Sequence, residues 1–336
     1  MKHIAVIGSG GWGTAIASLL AKNGHSVILW SYLQSESSAL SEYKENKQFL
    51  PGVISPDSVR YTASLEEAAK NAEIIVMVTP SQAILKTAKL LSPFVAPGTI
   101  VVTASKGLEE ESQKRLSEVI ADEIPQAKVA VMSGPSHAEE VGREMPTTNV
   151  IASKDIMVSR YLQDIFMCDT FRVYTSQDML GVELGGALKN VIALCAGISD
   201  GLGLGDNAKA ALMTRGLAEI TRLGVSMGAD PLTFSGLSGI GDLIVTCTSM
   251  HSRNRRAGIL IGQGLSPEKA VEEVKMVVEG FYTTKNAYAL AKRVGVEMPI
   301  VEHAYSILFE GKDPKAAVMS LMVRDKKHET EWDIMS

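Results

Sequence analysis

The sequence predicts an α/β domain built around a largely parallel sheet, followed by an all-α domain. From residue 1 to about residue 178, short β-branched segments alternate with helical patterns, as is typical of βαβ units. After about residue 179, long segments with helical spacing replace the strand patterns. A length of 336 residues also fits two hydrophobic cores better than one. We therefore assign residues 1–178 to the first domain and residues 179–336 to the second.

Several segments of the first domain are predicted as strands. Two are weaker than the rest, one near Val150 and one at Phe171–Tyr174. The clear ones are Ile4–Ile7, Val27–Trp30, Ile74–Val78, Ile100–Thr103 and Val129–Met132. In the second domain, Ser266 and Asp313 each precede a proline and predict capped helix starts, because a proline is well suited to the first helical position.

Composition and charge limit the classes of protein and ligand. With 46% hydrophobic and 21% charged residues, the chain has an ordinary globular composition. A net charge of −5 attracts neither nucleic acid nor an anionic membrane, so any phosphate site must be local. Cys168, Cys195 and Cys247 fit neither a disulfide framework nor a zinc site, and we expect no metal. No apolar stretch is expected to approach the ~18 residues of a membrane span, so we expect a cytoplasmic protein.

A glycine-rich turn follows the first predicted strand. Gly8, Gly10 and Gly13 have the spacing GxGxxG and open the helical segment Thr14–Ala21. The first glycine permits the tight turn, the second lets a pyrophosphate approach the backbone, and the third lets the helix pack on the strand. The alternative is a strand–helix turn that binds nothing. Its position directly after a strand favours a Rossmann-type dinucleotide-binding domain.

The residues after the second strand leave the choice of dinucleotide open. An acid about 20 residues after the glycines would hold the ribose 2′-hydroxyl of NAD. Here Ser31, Tyr32 and Leu33 follow the strand, and the first acid is Glu36. No arginine stands there to receive the 2′-phosphate of NADP.

Lys189 is the only charged residue in the largely apolar helical segment Leu184–Ser199. A helix that is apolar on most faces is buried, and a buried lysine must lower its pKa or pair with an anion. Such a lysine can give a proton to a carbonyl oxygen during hydride delivery and recover it in the reverse direction. The alternative is a lysine that reaches the surface along its apolar stem.

Two further segments of the second domain carry polar groups suited to a substrate site. Asp242 follows a glycine turn, where its carboxylate could accept a substrate hydroxyl or orient Lys189. The segment Ser252–Arg256 predicts a helix N-terminus with a guanidinium suited to phosphate binding. The alternative for this segment is a solvated basic helix face.

Two predicted strands of the first domain end in polar segments. Lys106 follows Ile100–Thr103, and Ser133–Ala138 follows Val129–Met132. Ligands of open α/β sheets bind at the carboxyl ends of strands, although a capping surface lysine and a plain turn are the alternatives. His137 is left out of the predicted site, because a lone histidine is more often structural.

Seven distinctive motifs occur in order along the chain. They are IGSGGWGTA at 7–15, GHSVILW at 24–30, SKGLE at 105–109, SGPSHAEE at 133–140, ELGGALKNVIA at 183–193, GIGDLIVTCTS at 239–249 and HSRNRRAG at 251–258. With these motifs the chain closely resembles the NAD(P)-dependent glycerol-3-phosphate dehydrogenase family of bacteria. The resemblance implies a helical domain like that of 6-phosphogluconate dehydrogenase. It also implies reversible NAD(P)H-dependent reduction of dihydroxyacetone phosphate to sn-glycerol 3-phosphate, which supplies glycerophospholipid synthesis.

The resemblance also implies roles for individual residues, with Lys189 as the catalytic proton donor and acceptor. The implied substrate site comprises Lys106, Gly134, Ser136, Lys189, Asp242, Ser252, Arg253 and Asn254, the phosphate being held by Arg253 and Asn254. The dinucleotide site comprises the glycines Gly8, Gly10 and Gly13 together with Gly11, Trp12, Tyr32, Lys106, Ala138, Arg253, Val277 and Glu279. The chain departs from the family's commonest pattern at Ser31-Tyr32, where many members carry histidine or arginine, so NAD and NADP both remain open.

Other functions explain less of the sequence. A different two-domain reductase, such as a ketopantoate, 3-hydroxyacyl-coenzyme A or 6-phosphogluconate dehydrogenase, does not explain the segment Ser252–Asn254. A non-catalytic dinucleotide sensor has no need of a buried Lys189, and a helical assembly module leaves the first domain unexplained. A small-molecule substrate is therefore expected, with no nucleic-acid partner, and a homodimer is compatible with catalysis.

Overall fold

A computed structural model describes residues 1–326, 328 and 329. Its first half contains an eight-stranded sheet in the order β3-β2-β1-β4-β5-β6-β7-β8. The strands are β1 (His3–Ile7), β2 (Ser26–Trp30), β3 (Arg60–Thr62), β4 (Ile74–Met77), β5 (Ile100–Thr103), β6 (Lys128–Ser133), β7 (Thr147–Ala152) and β8 (Phe171–Ser176). Neighbouring strands are parallel except β6 and β7, which are antiparallel. The prediction of a largely parallel sheet is confirmed.

All seven predicted strands are present, with ends shifted by up to three residues. The eighth strand, β3, was not predicted, because it has three residues and lies at the edge of the sheet. Such a short segment carries no readable alternation of apolar and polar residues.

Helices cover both faces of the sheet. They are α1 (Gly11–Lys22), α2 (Gln34–Tyr43), α3 (Leu65–Ala69), α4 (Ile84–Leu91), α5 (Leu116–Glu123), α6 (Ala138–Gly142) and α7 (Ile156–Phe166). Because successive side chains of a strand point to opposite faces, Ile4 and Val6 pack in the core beneath α1 and α7. Ala5 and Ile7 belong to the opposite core, with α3, α4 and α5. The sheet is thus buried on both sides.

The second half of the described chain is helical, as predicted. Its helices are α8 (Met179–Gly201), α9 (Gly205–Ser226), α10 (Pro231–Phe234), α11 (Asp242–Thr248), α12 (Arg253–Gly262), α13 (Pro267–Val274), α14 (Glu279–Val294), α15 (Pro299–Phe309) and α16 (Pro314–Met322). Ser266 and Asp313 cap α13 and α16 as expected. The predicted division at residue 178 stays a prediction, and residues 327 and 330–336 of the second predicted domain lie outside the described residues.

Helix α8 is the central element of this half, and its length and apolar composition differ from what was expected. With 23 residues and a high mean hydropathy, it is long and apolar enough to cross a membrane by length and composition. The expectation that no apolar stretch approaches this length was therefore wrong. In the structure 89% of its most apolar window is buried inside the protein, where it packs against α9, α11, α12 and α14. Its apolar character is therefore explained by its place in the core.

Candidate active site

The glycine turn between β1 and α1 has the geometry of an anion cradle. Gly8 has a φ of +120°, and a Cβ at Gly13 would lie 1.8 Å from the Gly8 carbonyl oxygen. Both positions therefore require glycine. A Cβ at Gly10 would meet no heavy atom within 4 Å, so the space in front of this residue is open. With no side chain capping α1, its first amides are available to a pyrophosphate, and these residues fit the dinucleotide.

Some of the other predicted dinucleotide contacts lie in or beside this turn. Trp12 packs against the core of the sheet, and the Ala138 Cβ lies 3.6 Å from the Cβ position of Gly11. Tyr32 is the second residue after β2, and 66% of its surface is exposed. Ser31 and Thr79 follow β2 and β4, and among the described residues their buried hydroxyl oxygens have no hydrogen-bond partner. Unpaired buried hydroxyls at strand ends suit a bound polar ligand.

Lys189 lies inside the protein rather than at its surface. Its residue exposure is 6%, and its Nζ donates hydrogen bonds to Asp242 Oδ1 at 2.5 Å and to Thr246 Oγ1 at 2.6 Å. Thr246 follows Asp242 by four residues, so both lie on one face of α11. The isolated lysine of α8 is therefore held by two groups of a neighbouring helix.

Burial and neighbouring charges set the protonation of this pair. Burial lowers the pKa of Lys189 to about 8, against the opposing attraction of Asp242. The pKa of Asp242 is lowered, because the charges of Lys106 and Lys189 outweigh the burial that would raise it. At neutral pH the carboxylate is ionised and the lysine can act as an acid.

Lys106 joins the same carboxylate from the sheet side. Its Nζ donates to Asp242 Oδ2 at 2.6 Å and to the Gly134 carbonyl oxygen at 2.9 Å. Ser136 Oγ donates to that same carbonyl oxygen at 3.0 Å. Lys106 thereby connects the segments after β5 and β6 to α11 through hydrogen bonds. The ammonium groups of Lys106 and Lys189 share the one carboxylate of Asp242. The cluster of Lys106, Asp242 and Lys189 carries one net positive charge.

The basic segment at 252–256 forms the start of a helix, as predicted. Ser252 caps α12 by accepting a hydrogen bond from Arg255 N at 3.2 Å. Asn254 Nδ2 donates to Asn190 Oδ1 at 2.9 Å, and its Oδ1 accepts from Gly280 N at 2.8 Å. This amide therefore joins α12 to both α8 and α14.

Arg253 is half-buried and differs from a solvated surface arginine. Burial lowers its pKa, while the charges of Glu279 and Glu139 raise it. Within the described part of the chain, no hydrogen bond joins the Arg253 guanidinium to another residue. Its donors are consequently available to a ligand. The nearby Arg255, by contrast, forms an ion pair with Asp200, in which Nη2 lies 2.7 Å from Oδ2.

Glu279, at the start of α14, contacts the sheet domain. Its carboxylate accepts hydrogen bonds from Ser81 N at 3.1 Å and from Ser81 Oγ at 2.6 Å. Burial raises the pKa of Glu279, against the hydrogen bonds from Ser81. Val277 precedes it in the same connection. Glu279, which only the family resemblance indicated, thus joins the helical half to the segment that follows β4.

The structure adds residues that the sequence analysis did not single out. Thr246, Asn190 and Ser81 each hydrogen-bond a predicted site residue. Thr246 had one readable signal, its position four residues after Asp242. His137, which was left out, is half-buried near the cluster, and burial followed by the charge of Lys189 lowers its pKa. Its ring centroid lies 5.8 Å from that of His251.

Models of one protein family match nearly the whole chain. The model described as the NAD-dependent glycerol-3-phosphate dehydrogenase N-terminus matches residues 3–159. The model for the C-terminus of the same family matches residues 178–319.

Individual relatives agree with these models. The chain is 55% identical over 334 residues to glycerol-3-phosphate dehydrogenase [NAD(P)+] of Desulfitobacterium hafniense, covering 98% of this chain and 94% of the relative. It is 56% identical over 330 residues to the protein of the same name from Moorella thermoacetica, covering 98% of each chain. A crystal structure of glycerol-3-phosphate dehydrogenase from Coxiella burnetii matches with a TM-score of 0.93 and 40% identity, over 96% of this chain and 99% of that one.

Proposed function

Because the chain belongs to the NAD-dependent glycerol-3-phosphate dehydrogenase family, we propose that Lys189 is the proton donor and acceptor of its reaction. The chain is an oxidoreductase that interconverts dihydroxyacetone phosphate and sn-glycerol 3-phosphate, with NAD or NADP as cofactor. The observation that carries the proposed role is the buried ammonium of Lys189, held 2.5 Å from Asp242 beside the open end of the sheet.

The reaction needs an acid at the ketone oxygen of the substrate. When bound, the nicotinamide cofactor delivers a hydride to C2 of the ketone or removes it from the alcohol. As negative charge develops on the oxygen at C2, the Lys189 ammonium donates a proton to it, and it recovers that proton in the reverse direction. The pKa of about 8 suits both directions, because both protonation states are accessible near neutral pH.

Asp242 and Thr246 position this acid. Both accept hydrogen bonds from Lys189 Nζ, so they restrict the direction in which its remaining proton can point. Lys106 occupies the other oxygen of Asp242. The carboxylate therefore offsets only one of the two ammonium charges, and the excess positive charge favours an anionic substrate.

Arg253, supported by Asn254, is proposed to hold the phosphate. The guanidinium is partly desolvated and has no hydrogen-bond partner among the described residues. Phosphate bound away from the reacting carbon orients C2 toward the acid, and such remote binding contributes several kcal/mol to the rate. Gly134 and Ser136 complete the proposed substrate site.

We propose that the dinucleotide lies against Gly8–Gly13 and Tyr32, with Ala138, Val277 and Glu279 at its edges. The open space at Gly10 and the uncapped amides of α1 support this placement. A bacterial enzyme of this kind would act in the cytoplasm and supply glycerophospholipid synthesis. We retain the proposal that a homodimer is compatible with this activity.

The experiment that tests the function is oxidation of NADH and of NADPH, followed by absorbance, with three ketones in parallel. Turnover is expected with dihydroxyacetone phosphate and not with ketopantoate or acetoacetyl-coenzyme A. Turnover with ketopantoate alone would identify a different reductase. Nucleotide binding without turnover of any ketone would favour a dinucleotide sensor.

Replacing Lys189 by alanine tests its role directly. Loss of the acid is expected to lower kcat by about 10²- to 10⁴-fold, while the dinucleotide affinity stays nearly unchanged because Lys189 lies outside the glycine turn. Lys89, an exposed residue of α4, offers a matched control. Turnover like that of the wild type in Lys189→Ala would remove this residue from the mechanism.

A further inference from the structure

A carboxylate lies beside the glycine turn without a cationic partner. Ser9, between Gly8 and Gly10, is buried, and its Oγ lies 3.5 Å from Glu36 Oε2. At that distance a hydrogen bond is weak, so the carboxylate keeps most of its accepting capacity. No lysine or arginine among the described residues lies within salt-bridge distance of Glu36.

The fold explains how a residue of α2 reaches this turn. Strands β1 and β2 pair in parallel and end together, with Ile7 opposite Trp30. Glu36 lies in the first turn of α2, which begins four residues after β2. Its side chain therefore returns to the carboxyl edge of the sheet, the side on which open α/β sheets bind their ligands. The acid is later in the sequence than the usual position at the strand end, yet it reaches the same edge.

The cations of this region are directed at aromatic rings. Lysine Nζ atoms lie over tyrosine rings in three pairs: Lys86 over Tyr32 at 5.8 Å, Lys44 over Tyr61 at 5.0 Å and Lys47 over Tyr43 at 4.0 Å. Such contacts are favourable for an ammonium group. The charge directly at Ser9 is therefore that of the Glu36 carboxylate. Because Lys86 is the cation nearest to Tyr32 among these pairs, the test must distinguish its effect on cofactor binding from that of Glu36.

NAD and NADP differ at one position of the adenosine ribose, where NAD has a hydroxyl and NADP a phosphate. A carboxylate accepts a hydrogen bond from the hydroxyl, but it repels a phosphate of like charge. We propose that Glu36 is a specificity-determining residue that makes this enzyme prefer NAD over NADP. This inference rests on the proposed function for the reaction, whereas the preference itself is a property of binding.

Binding therefore provides the first test. Calorimetric titration of the full chain is expected to show NAD⁺ bound at least about tenfold more tightly than NADP⁺, because the Glu36 carboxylate repels the 2′-phosphate of NADP⁺. Glu36→Gln should lose most of this ratio, because the amide no longer repels the phosphate. Glu42→Gln is the matched control, since Glu42 is an exposed acid of the same helix. It should keep the wild-type ratio.

Two results would overturn the inference. One is a wild-type protein that binds NADP⁺ as tightly as NAD⁺ or more tightly, and the other is a Glu36→Gln variant with an unchanged ratio. Glu36→Ser replaces the glutamine variant if the latter does not fold, as judged by circular dichroism. The alternative is that Lys86 binds the 2′-phosphate of NADP⁺. In that case the wild-type protein will prefer NADP⁺, and Lys86→Met will weaken NADP⁺ binding. This result would also contradict the proposal.

Turnover then separates this inference from the proposed function. The ratio of kcat/KM for NADH and NADPH, with dihydroxyacetone phosphate as substrate, should follow the binding ratio in each variant. NAD selectivity in binding without turnover of dihydroxyacetone phosphate would support the role of Glu36 while contradicting the proposed reaction. Turnover of dihydroxyacetone phosphate with equal use of NADH and NADPH would support the proposed reaction and contradict the role of Glu36.

Discussion

Asp242 is the residue that sets the net charge of the proposed catalytic cluster of Lys106, Asp242 and Lys189. Its two oxygens are divided between Lys189, at 2.5 Å, and Lys106, at 2.6 Å. A single carboxylate buried between two ammonium groups stays ionised, and its charge opposes the effect of burial on the pKa of Lys189. The acidity of Lys189 therefore results from two opposed effects, burial that favours the neutral amine and Asp242 that favours the ammonium.

The rate of ketone reduction is expected to fall as the pH rises through about 8. Lys189 must be protonated to act as an acid, and its pKa is lowered to about 8, so the active form is lost above that pH. Asp242→Asn removes a charge that raises this pKa, and the fall should then begin at lower pH. The measurement is kcat against pH for both proteins. A wild-type rate that does not change between about pH 7 and pH 10 would rule out Lys189 as the titrating acid.

Arg253→Ala is expected to weaken the binding of phosphorylated substrate selectively. Loss of a charge-assisted hydrogen bond of about 1.5–3 kcal/mol should raise KM for dihydroxyacetone phosphate by roughly ten- to hundredfold. The KM for unphosphorylated dihydroxyacetone should change much less. Arg160→Ala, at an exposed position of α7, is the control. Equal effects of Arg253→Ala on both ketones would exclude this residue from phosphate binding.

The crossing of α8 and α12 determines where the proposed phosphate-binding residues Arg253 and Asn254 lie relative to Lys189. A Cβ at Gly258 would be 2.1 Å from the Leu194 carbonyl oxygen, and one at Gly197 would be 2.1 Å from that of Arg255. The two backbones are thus in contact, which only glycines permit at these positions. This contact places the start of α12 beside Asn190, the residue after Lys189.

Gly258→Ala should therefore affect both stability and catalysis. The added methyl group forces the helices apart, with an expected loss of about 1–3 kcal/mol in the free energy of unfolding. Because the N-terminus of α12 moves with the helix, kcat/KM should fall as well. Gly241→Ala serves as the control for stability, since a Cβ there has its nearest neighbour at 3.7 Å. Denaturant unfolding of both variants provides the comparison, and equal stabilities would contradict the close contact.

The two halves of the molecule are joined by buried polar contacts as well as by apolar packing. Glu183 of α8 accepts hydrogen bonds from Ser117 N at 2.8 Å and from Arg115 Nη1 at 3.2 Å, both near the start of α5. Lys106 with Asp242, and Ser81 with Glu279, make further contacts of this kind. Buried charges of this sort are costly when one partner is removed. The candidate site therefore depends on how the helical half sits on the sheet.

The stability of the whole molecule should depend on Glu219, a buried acid of α9. Its carboxylate accepts hydrogen bonds from Ile300 N and Val301 N, and burial raises its pKa to about 7. The folded protein then binds this proton more tightly than the unfolded chain, so the free energy of unfolding increases as the pH falls from about 7 toward 4.5. A shift of this size corresponds to at most about 3 kcal/mol.

Glu219→Gln should remove this part of the pH dependence. Between roughly pH 5 and pH 8, the wild type should lose up to about 3 kcal/mol of unfolding free energy relative to the variant. The variant is therefore expected to gain in relative stability as the pH rises. Glu272→Gln, an exposed acid of α13, should show no such change. Parallel pH profiles for wild type and Glu219→Gln would contradict the raised pKa.

Much of the architecture follows from signals that are local in the sequence. Strand periodicity, the glycine spacing at 8–13 and the caps at Ser266 and Asp313 each depend on a few consecutive residues. The predicted strands and caps are confirmed, and the glycines form the expected turn between β1 and α1, whereas dinucleotide binding at this turn stays a prediction. Lys189 was recognisable because a lone charge in an apolar helix must be compensated. The edge strand β3 carried no readable alternation, and Thr246 had only its spacing from Asp242, so neither was predicted.

The arrangement of the site was decided by tertiary structure alone. Lys106 and Asp242 are 136 residues apart, and Ser81 and Glu279 are 198 apart, so no local pattern links either pair. The sequence by itself determined the two kinds of domain, the glycine turn and the lysine that needed a partner. Which carboxylate that partner is, and how far its charge offsets burial, depends on the packing of α11 against α8, because electrostatic interactions follow distance in space rather than along the chain.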